Sequence, residues 1–235
     1  MSAPAPKLIL LPGLDGTAKL FSDFIAALAP EFEALTVAYP PDRCLPYADL
    51  VAIVQSNLPT PEPFILVAES FSTPIAIQCA AMHPQGLKGL VLCSGFASSP
   101  VLGARRLAYS LLTPGLLRMP LSDFALKTAL VGPTPSPELL LAVRNTVSSV
   151  NTDVIIARVR EVLNCDVRAF LAQVCIPILC IRAKQDRLVS SRSSEEIRRL
   201  KPRTAVVEMA GPHLLLQREP QATAKGIAEF VHMLT

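Results

Sequence analysis

The sequence contains no tryptophan, and all aromatic residues together make up only 5% of the chain. Because 51% of the residues are nonetheless hydrophobic, the core must be built mainly from leucine, isoleucine, valine and alanine. A length of 235 residues fits one domain core better than two. The composition therefore indicates a globular chain with one sizeable core, and nothing in it suggests disorder.

The sequence also lacks long apolar runs and a strong charge imbalance. No stretch approaches the roughly 20 apolar residues of a membrane-spanning helix, and no basic leader precedes an apolar run at the N-terminus. The net charge is only +3, and lysine and arginine are scattered along the chain. We therefore expect a cytoplasmic protein without a membrane span, and no nucleic acid or other polyanion as a partner.

Metal-site spacing is missing as well, although the chain has six cysteines: Cys44, Cys79, Cys93, Cys165, Cys175 and Cys180. We expect buried, reduced thiols and no bound metal. Cys93 stands at the end of a predicted strand and could in principle be a nucleophile. No histidine or acid near it in the sequence supports that role.

What is present is a regular alternation of short apolar runs with longer helical patterns, which is typical of βαβ units and a buried parallel sheet. The predicted strands are Leu8–Leu11, Leu35–Tyr39, Phe64–Ala68, Gly89–Ser94, Ile178–Ala183 and Ala205–Glu208. The predicted helices are Leu20–Ala29, Tyr47–Asn57, Thr73–His83, Ser191–Leu200 and Gln221–Met233. The fold class is therefore α/β, with a mostly parallel sheet of about six strands and helices on both faces.

The alternation is interrupted once, from Ala97 to Val174, where no strand pattern occurs and prolines divide the chain into short helices. We predict that residues 97–174 form a helical insertion into a core made of residues 1–96 and 175–235. This insertion carries eight basic and five acidic residues, an excess of three that equals the net charge of the whole chain.

Ser70 lies between a predicted strand and a predicted helix, in the sequence Ala68-Glu69-Ser70-Phe71-Ser72. A nucleophilic serine on so tight a turn has a strained backbone and needs small residues two positions away on either side. Ala68 and Ser72 are small, although glycine is usual at both places. The alternative is an ordinary turn in which Ser70 caps the helix.

A nucleophilic serine needs a general base, and the chain has only three histidines. His213 follows the last predicted strand, where a loop would bring it to the carboxyl edge of the sheet. His83 and His232 lie in helices or at their ends and are typical of surface or capping residues. Asp186 follows the fifth predicted strand at the same edge and could orient His213, although it could instead be a turn residue or a partner of Arg187.

A glycine-rich loop, Leu11-Pro12-Gly13-Leu14-Asp15-Gly16, follows the first predicted strand. Its backbone can approach a substrate closely, so we predict that the amides of Leu14 and Phe71 donate to a developing oxyanion. We also predict that Gly13 and Asp15 contact the substrate. A phosphate loop is the alternative, but the Gly-Lys-Ser/Thr ending and the third glycine of a dinucleotide site are missing.

The order Ser70, Asp186, His213, with the last two residues after late strands, matches the α/β-hydrolase arrangement. The strings LPGLDGT, ILVAESFSTPIAIQCAAMHP and GLVLCSGF, followed by DRLV and GPH, resemble this superfamily along the whole chain. Within it, the chain resembles small carboxylesterases of the pimeloyl-ACP methyl ester esterase type and the hydrolase-like part of plant phytyl ester synthases.

The resemblance implies an ester or thioester hydrolase that forms a covalent acyl-enzyme and uses no cofactor. Ser70 would be the nucleophile, His213 the general base and Asp186 the acid that orients it, and residues 97–174 would form a cap over the site. The sequence departs from the superfamily in three ways. The usual first two strands have no counterpart. The two glycines usual beside the nucleophile are replaced by Ala68 and Ser72. The glycine-rich loop, expected to supply an oxyanion donor, begins Pro-Gly where many relatives have His-Gly.

The insertion is rich in leucine, and an apolar pocket favours an acyl or alkyl chain. We therefore predict that Leu111, Leu112 and Leu116 contact a small carboxylic ester with a short to medium acyl chain, although packing between helices would explain the same residues. Thioester cleavage, acyl transfer and non-catalytic binding are the alternatives. The basic excess, including Arg105 and Arg106, could dock an acidic acyl-carrier protein, but solvated surface charge explains it too.

Overall fold

The computed structural model describes residues 5–101 and 122–234. Within these residues six strands form a parallel sheet in the order β2-β1-β3-β4-β5-β6. The strands are β1 (Lys7–Leu11), β2 (Ala34–Thr36), β3 (Phe64–Glu69), β4 (Leu87–Cys93), β5 (Ile178–Ala183) and β6 (Ala205–Met209). The chain moves to one side of β1 and then to the other, so the strand order reverses between β1 and β3. In open α/β sheets, ligands bind beyond the carboxyl ends of the strands at such a point.

Helices connect the strands and cover both faces of the sheet. They are α1 (Ser22–Ala26), α2 (Tyr47–Ser56), α3 (Thr73–Ala81), α4 (Asp123–Leu126), α5 (Pro137–Ser148), α6 (Thr152–Asn164), α7 (Arg168–Gln173), α8 (Ser191–Leu200), α9 (Leu215–Arg218) and α10 (Pro220–His232). Short 3₁₀-helices occupy Lys19–Phe21 and Ser70–Ser72, and a π-helix occupies Lys127–Val131. In the part of the chain described, no helix is both long and apolar enough to cross a membrane.

The core consists of two apolar layers, one on each face of the sheet. Successive strand residues point to opposite faces, so Leu66 joins the layer that includes residues of α2, α3 and α8, whereas Val67 joins the layer that includes residues of α1, α9 and α10. Every residue of β3 is buried. A strand buried on both faces explains why its sequence is a continuous apolar run rather than an alternating one.

The predicted fold class is confirmed, and the six strands lie where the sequence places them, with shifts at their ends. The largest difference is at the second strand, predicted over Leu35–Tyr39 but observed over Ala34–Thr36. The Val37 amide still donates to the Leu10 carbonyl of β1 at 3.1 Å, but the Tyr39 amide donates to the Gly16 carbonyl at 2.7 Å, so the ladder ends between these two residues. The predicted helix Leu20–Ala29 is a 3₁₀-helix followed by the short α1, and helix α9 was not predicted.

In the described part of residues 97–174, the regular secondary structure is helical, apart from a single antiparallel bridge between Ser98 and Asp166. Its side chains Leu126, Val131 and Val143 form an apolar cluster with Leu214, a residue that follows β6. The insertion therefore reaches the loops at the carboxyl edge of the sheet. Its predicted substrate contacts Leu111, Leu112 and Leu116, and the predicted docking residues Arg105 and Arg106, lie outside the described residues.

Gly86, in the turn before β4, provides a test of the fold. Its φ of +92° lies in the left-handed region, and a Cβ there would lie 2.2 Å from the backbone oxygen of Glu62. Because a backbone atom cannot move aside cheaply, we expect Gly86→Ala to lower the free energy of unfolding by roughly 2–4 kcal/mol, as measured by denaturant titration.

Gly226, inside α10, is the matched control. A Cβ there would meet only the flexible end of Met209, at 2.8 Å from its Cε. Alanine is favoured over glycine in a helix by about 1 kcal/mol, so we expect Gly226→Ala to be neutral or slightly stabilising. Equal stabilities of the two variants would contradict the turn geometry described for Gly86.

Candidate active site

Ser70 stands at the sharp turn between β3 and α3. Its φ is 47°, in the left-handed region that a serine adopts only at a cost in free energy. The buried strand before it and the buried helix after it hold this conformation in place. The strained turn predicted from the pentapeptide is therefore present without either of the usual glycines.

The structure joins the three predicted triad residues by two hydrogen bonds. The Oγ of Ser70 lies 2.8 Å from Nε2 of His213, and Nδ1 of the same ring lies 2.8 Å from Oδ2 of Asp186. When Nδ1 carries the proton and donates it to the carboxylate, Nε2 is free to accept the serine hydroxyl. This arrangement can increase the nucleophilicity of the serine oxygen.

The carboxylate of Asp186 is fixed on both oxygens. While Oδ2 accepts from His213, Oδ1 accepts the backbone amides of Leu188 at 2.8 Å and Val189 at 2.9 Å. These amides belong to the turn that follows β5. The carboxylate is therefore oriented by local backbone geometry and can in turn orient the imidazole.

His213 is buried, with 3% of its surface exposed. Burial alone lowers the pKa of the imidazole, but the hydrogen bond to Asp186 and the charges of Asp186 and Glu69 outweigh it, so the pKa is raised above its ordinary value. Its loop is held from two sides. Ser94 Oγ donates to the His213 carbonyl at 2.9 Å, and the Leu214 amide donates to the Leu130 carbonyl of the insertion at 3.1 Å.

The other candidate bases and the alternative nucleophile lie elsewhere. His83 is an exposed residue with φ of 52°, just beyond the end of α3. The side chain of His232 is 61% exposed, and its Nε2 lies 3.7 Å from Glu31. Cys93 is only 1% exposed, and burial raises the pKa of its thiol well above the ordinary value. A protonated, buried thiol is a poor nucleophile.

The glycine-rich loop, residues 11–16, lies beside the Ser70 turn, because β1 and β3 are neighbouring strands. The Gly16 amide donates to the Gly13 carbonyl at 3.0 Å. A trans peptide points its N–H opposite to its carbonyl, so the Leu14 N–H is directed away from the inside of this turn. The side chain of Asp15 is nearly buried and accepts the amide and hydroxyl of Thr17 at 2.8 and 2.7 Å, which stabilises the loop itself.

Ser72 stands where glycine is usual, two residues after the predicted nucleophile, and its hydroxyl connects the turn to the glycine-rich loop. Its Oγ donates to the Pro12 carbonyl and accepts from the Tyr39 hydroxyl, 2.7 Å away. From the pentapeptide, Ser72 is identified only as a small residue. The pentapeptide does not show that the Ser72 hydroxyl bonds to a neighbouring loop, because its partner Pro12 lies 60 residues away in the sequence.

Glu69 is a second residue that sequence reasoning missed, although a lone acid within an apolar strand was a signal. It is 2% exposed, and Gln217 Nε2 donates to its Oε2 at 3.2 Å. Among the described residues, Glu69 Oε1 and Gln217 Oε1 have no hydrogen-bond partner. Burial raises the pKa of Glu69 to about 7, with Asp15 adding to the rise and His213 and Gln217 opposing it. If the side-chain amide of Gln217 were flipped by about 180°, a protonated Glu69 could donate a hydrogen bond to Gln217 Oε1.

Within residues 5–101 and 122–234, no group of three or more histidine, cysteine, aspartate or glutamate side chains is arranged to bind a metal ion.

Comparisons with known proteins agree with this architecture. The sequence profile described as the alpha/beta hydrolase family matches residues 8–225. A search of curated proteins finds no match. Similar solved structures include an enol-lactonase from Burkholderia xenovorans, with 17% identity and a TM-score of 0.80 over 98% of this chain and 92% of that one.

Two further solved structures are similar over nearly the whole chain. A bromoperoxidase from Bacillus anthracis has 14% identity and a TM-score of 0.85 over 97% of this chain and 92% of that one. A structure from work on carboxylesterases of Nitrososphaera gargenis has 13% identity and a TM-score of 0.78 over 99% and 92%. Likeness at such low identity describes the fold alone.

Glu69→Gln tests the buried carboxyl. Because the folded-state pKa of Glu69 is about 7 and the ordinary value is 4.5, the folded state binds more protons than the unfolded state between these two pH values. Stability should then fall as pH rises through this window, by about 3 kcal/mol in total, and this fall should be absent in the variant. When thermal unfolding is measured from pH 5 to pH 8, the stability of the variant relative to that of the parent should increase with pH.

Glu138→Gln is the control, because Glu138 is an exposed residue in the first turn of α5. We expect its stability difference from the parent to be the same at pH 5 and pH 8. A Glu69→Gln variant that behaves like Glu138→Gln would mean that the buried carboxyl does not change its charge in this window.

Proposed function

Because this chain belongs to the alpha/beta hydrolase family, we propose that it is a serine hydrolase that cleaves carboxylic esters through an acyl-enzyme on Ser70. Family membership supports hydrolysis as the general class of reaction. The observation that carries the finer proposal is the continuous hydrogen-bonded chain from Ser70 through His213 to Asp186, beginning at a serine in a strained turn.

In the proposed first half-reaction, the oxygen of Ser70 attacks the ester carbonyl while Nε2 of His213 takes the hydroxyl proton. The tetrahedral intermediate collapses when its bond to the alcohol oxygen breaks, and the imidazolium returns its proton to that oxygen. The alcohol leaves, and the acyl group stays bonded to Ser70.

In the second half-reaction, His213 takes a proton from water, whose oxygen attacks the acyl carbon. The bond to Ser70 then breaks, the serine oxygen regains a proton from the imidazolium, and the carboxylic acid is released. In both halves Asp186 stabilises the imidazolium and does not need to change its own protonation state.

The negative charge that develops on the carbonyl oxygen needs donors held in place before the reaction. We assign this role to the backbone amides of Leu14 and Phe71, and contact with the bound substrate to Gly13 and Asp15. Supporting this, the Leu14 N–H is directed away from its own turn, and Phe71 directly follows the nucleophile.

Residues 97–174 are proposed to form a cap over this site, separate from the hydrolase core of residues 1–96 and 175–235. The support is the apolar cluster in which Leu126, Val131 and Val143 pack against Leu214, next to His213. An apolar cover would favour an ester whose acyl chain is short to medium.

The proposal is limited to a small-molecule ester, because three basic residues of the insertion are already engaged. Arg158 is buried, Arg144 forms an ion pair with Asp123, and Arg168 binds Asp166. These contacts reduce the charge that could attract an acyl-carrier protein. Cleavage of thioesters and acyl transfer to an alcohol would use the same three residues and are separated by assay.

Ser70→Ala tests the nucleophile. We expect the rate of p-nitrophenyl butyrate hydrolysis to fall by about a thousandfold or more, because no covalent intermediate can form. Covalent labelling by a fluorophosphonate probe should be lost, and the thermal unfolding temperature should remain near that of the parent.

Ser56→Ala, which removes an exposed hydroxyl at the end of α2, is the matched control and should keep both activity and labelling. Labelling that survives in Ser70→Ala would assign the reactive group to another residue. A parent chain that neither hydrolyses esters nor reacts with the probe would favour a non-catalytic binding protein.

A panel of p-nitrophenyl esters tests the substrate class. We expect kcat/KM to be highest for acyl chains of roughly two to eight carbons and to fall by about tenfold or more for palmitate, because an enclosed site limits chain length. The matching thioesters should react more slowly than the esters. With an added alcohol, the esters should give only the hydrolysis product and no transfer of the acyl group to that alcohol. A preference for long chains or thioesters would contradict the proposal.

A further inference from the structure

Arg158, on α6 of the insertion, is an arginine in an unusual environment. It is 2% exposed. In the part of the chain described, no carboxylate forms an ion pair with it, although burial of an arginine ordinarily requires one. An arginine stays charged even when buried, so the surrounding groups must replace the water that it has lost.

Three backbone carbonyls replace that water, and two of them belong to the oxyanion loop. Nη1 of Arg158 donates to the carbonyl of Leu14 at 3.0 Å and to the carbonyl of Asp15 at 2.6 Å. Nη2 donates to the carbonyl of Pro40 at 3.0 Å. One guanidinium therefore fixes two successive peptides of the loop against the segment that follows β2.

The guanidinium also lies beside two aromatic rings. Its central carbon is 5.8 Å from the ring centre of Tyr39 and 5.9 Å from that of Phe71. Phe71 carries the second amide that we assign to the oxyanion site. Cation–π attraction in a buried setting restricts where the guanidinium can lie. The group that bonds the Leu14 carbonyl therefore also packs beside the ring of Phe71.

Gly16 shows that the loop is shaped around this arginine. A Cβ at Gly16 would lie 2.5 Å from Nη1 of Arg158, and the φ of +69° at this position also favours glycine. The glycine thus allows the guanidinium to approach the backbone closely, which a larger residue would prevent.

The loop is held from its other side by the turn that contains Ser70, since the Ser72 hydroxyl of that turn donates to the Pro12 carbonyl. The peptide that presents the Leu14 N–H lies between these two anchors, and its own carbonyl accepts the Gly16 amide. With anchors on both sides, that N–H has little freedom to rotate.

We propose that Arg158 is a positioning residue for the oxyanion site. Through this side chain, the insertion fixes two things: the loop that presents the Leu14 amide, and the ring of Phe71. The inference rests on the proposed function, because it assigns a role within the same reaction. It adds that the insertion takes part in stabilising the transition state as well as covering the substrate.

Arg158→Ala and Arg158→Lys are the test variants, and Arg160→Ala is the control, because Arg160 is an exposed residue on the same helix. For Arg158→Ala we expect kcat for p-nitrophenyl butyrate to fall by about a hundredfold with KM nearly unchanged, since displacing a donor by about 1 Å has such an effect. Arg158→Lys should lie between this variant and the parent, because an ammonium cannot match the planar fork.

Chemical rescue separates positioning from a general packing role. Guanidinium added at concentrations too low to unfold the protein should restore at least part of kcat in Arg158→Ala, and it should not raise the activity of the parent or of Arg160→Ala. If the alanine variant does not fold, the kcat of Arg158→Lys for p-nitrophenyl butyrate is the test of the proposal. A lysine variant that either unfolds or keeps the parent's kcat would overturn the proposal.

Hydrogen exchange keeps this test independent of catalysis. Amides of residues 13–17 should exchange faster in Arg158→Ala than in the parent, and Arg160→Ala should match the parent. Unchanged exchange in a folded Arg158→Ala would overturn the inference even in an active enzyme. A parent that is inactive while the loop still loosens in the variant would instead contradict the proposed function.

Discussion

The backbone of Ser70 passes through the left-handed region, with φ of 47°, where the buried strand β3 meets α3. For a residue other than glycine this conformation costs roughly 1–2 kcal/mol. Thr73 helps to hold it, because its hydroxyl donates to the Ser70 carbonyl at 2.8 Å and accepts the Phe96 amide at 3.1 Å. The turn is thereby connected to the chain that follows β4, and Ser70 Oγ is placed within hydrogen-bonding distance of His213.

Glu69 and Arg158 are both buried without an ion-pair partner among the described residues, and they differ in how burial is compensated. Glu69 can become neutral, because its pKa of about 7 lets it take up a proton near physiological pH. Arg158 has no such option, since a guanidinium stays protonated, and it is instead surrounded by carbonyl oxygens. Glu69 can therefore change its charge beside His213, whereas Arg158 is a fixed positive charge behind the glycine-rich loop.

The sequence predicted the fold and the three central residues of the site for one physical reason. In a parallel sheet the carboxyl ends of all strands meet at one edge, so residues that directly follow strands come together whatever their separation along the chain. Ser70 follows β3, Asp186 comes shortly after β5, and His213 comes shortly after β6. Locating the strands from their apolar runs was sufficient to bring these three residues to one place.

The contacts of Ser72, Ser94 and Arg158 were not predicted, because they depend on how loops and the insertion pack rather than on strand position. Periodicity in α6 places Arg158 among residues of its buried face, but it does not show what the guanidinium meets. Its bonded carbonyls at Leu14 and Asp15 lie more than 140 residues away in sequence. Only the folded chain shows that this basic residue of the insertion is not surface charge.

The contacts of Arg158 also restrict how the insertion and the core could vary separately. Replacing the insertion would leave the carbonyls of Leu14, Asp15 and Pro40 without their donor, and a carbonyl that stays shielded from water without a donor is costly. A larger residue at Gly16 would, conversely, displace the guanidinium. The arginine and the glycine therefore form a matched pair, and a different insertion on this core would need either another donor for the same carbonyls or a differently folded loop.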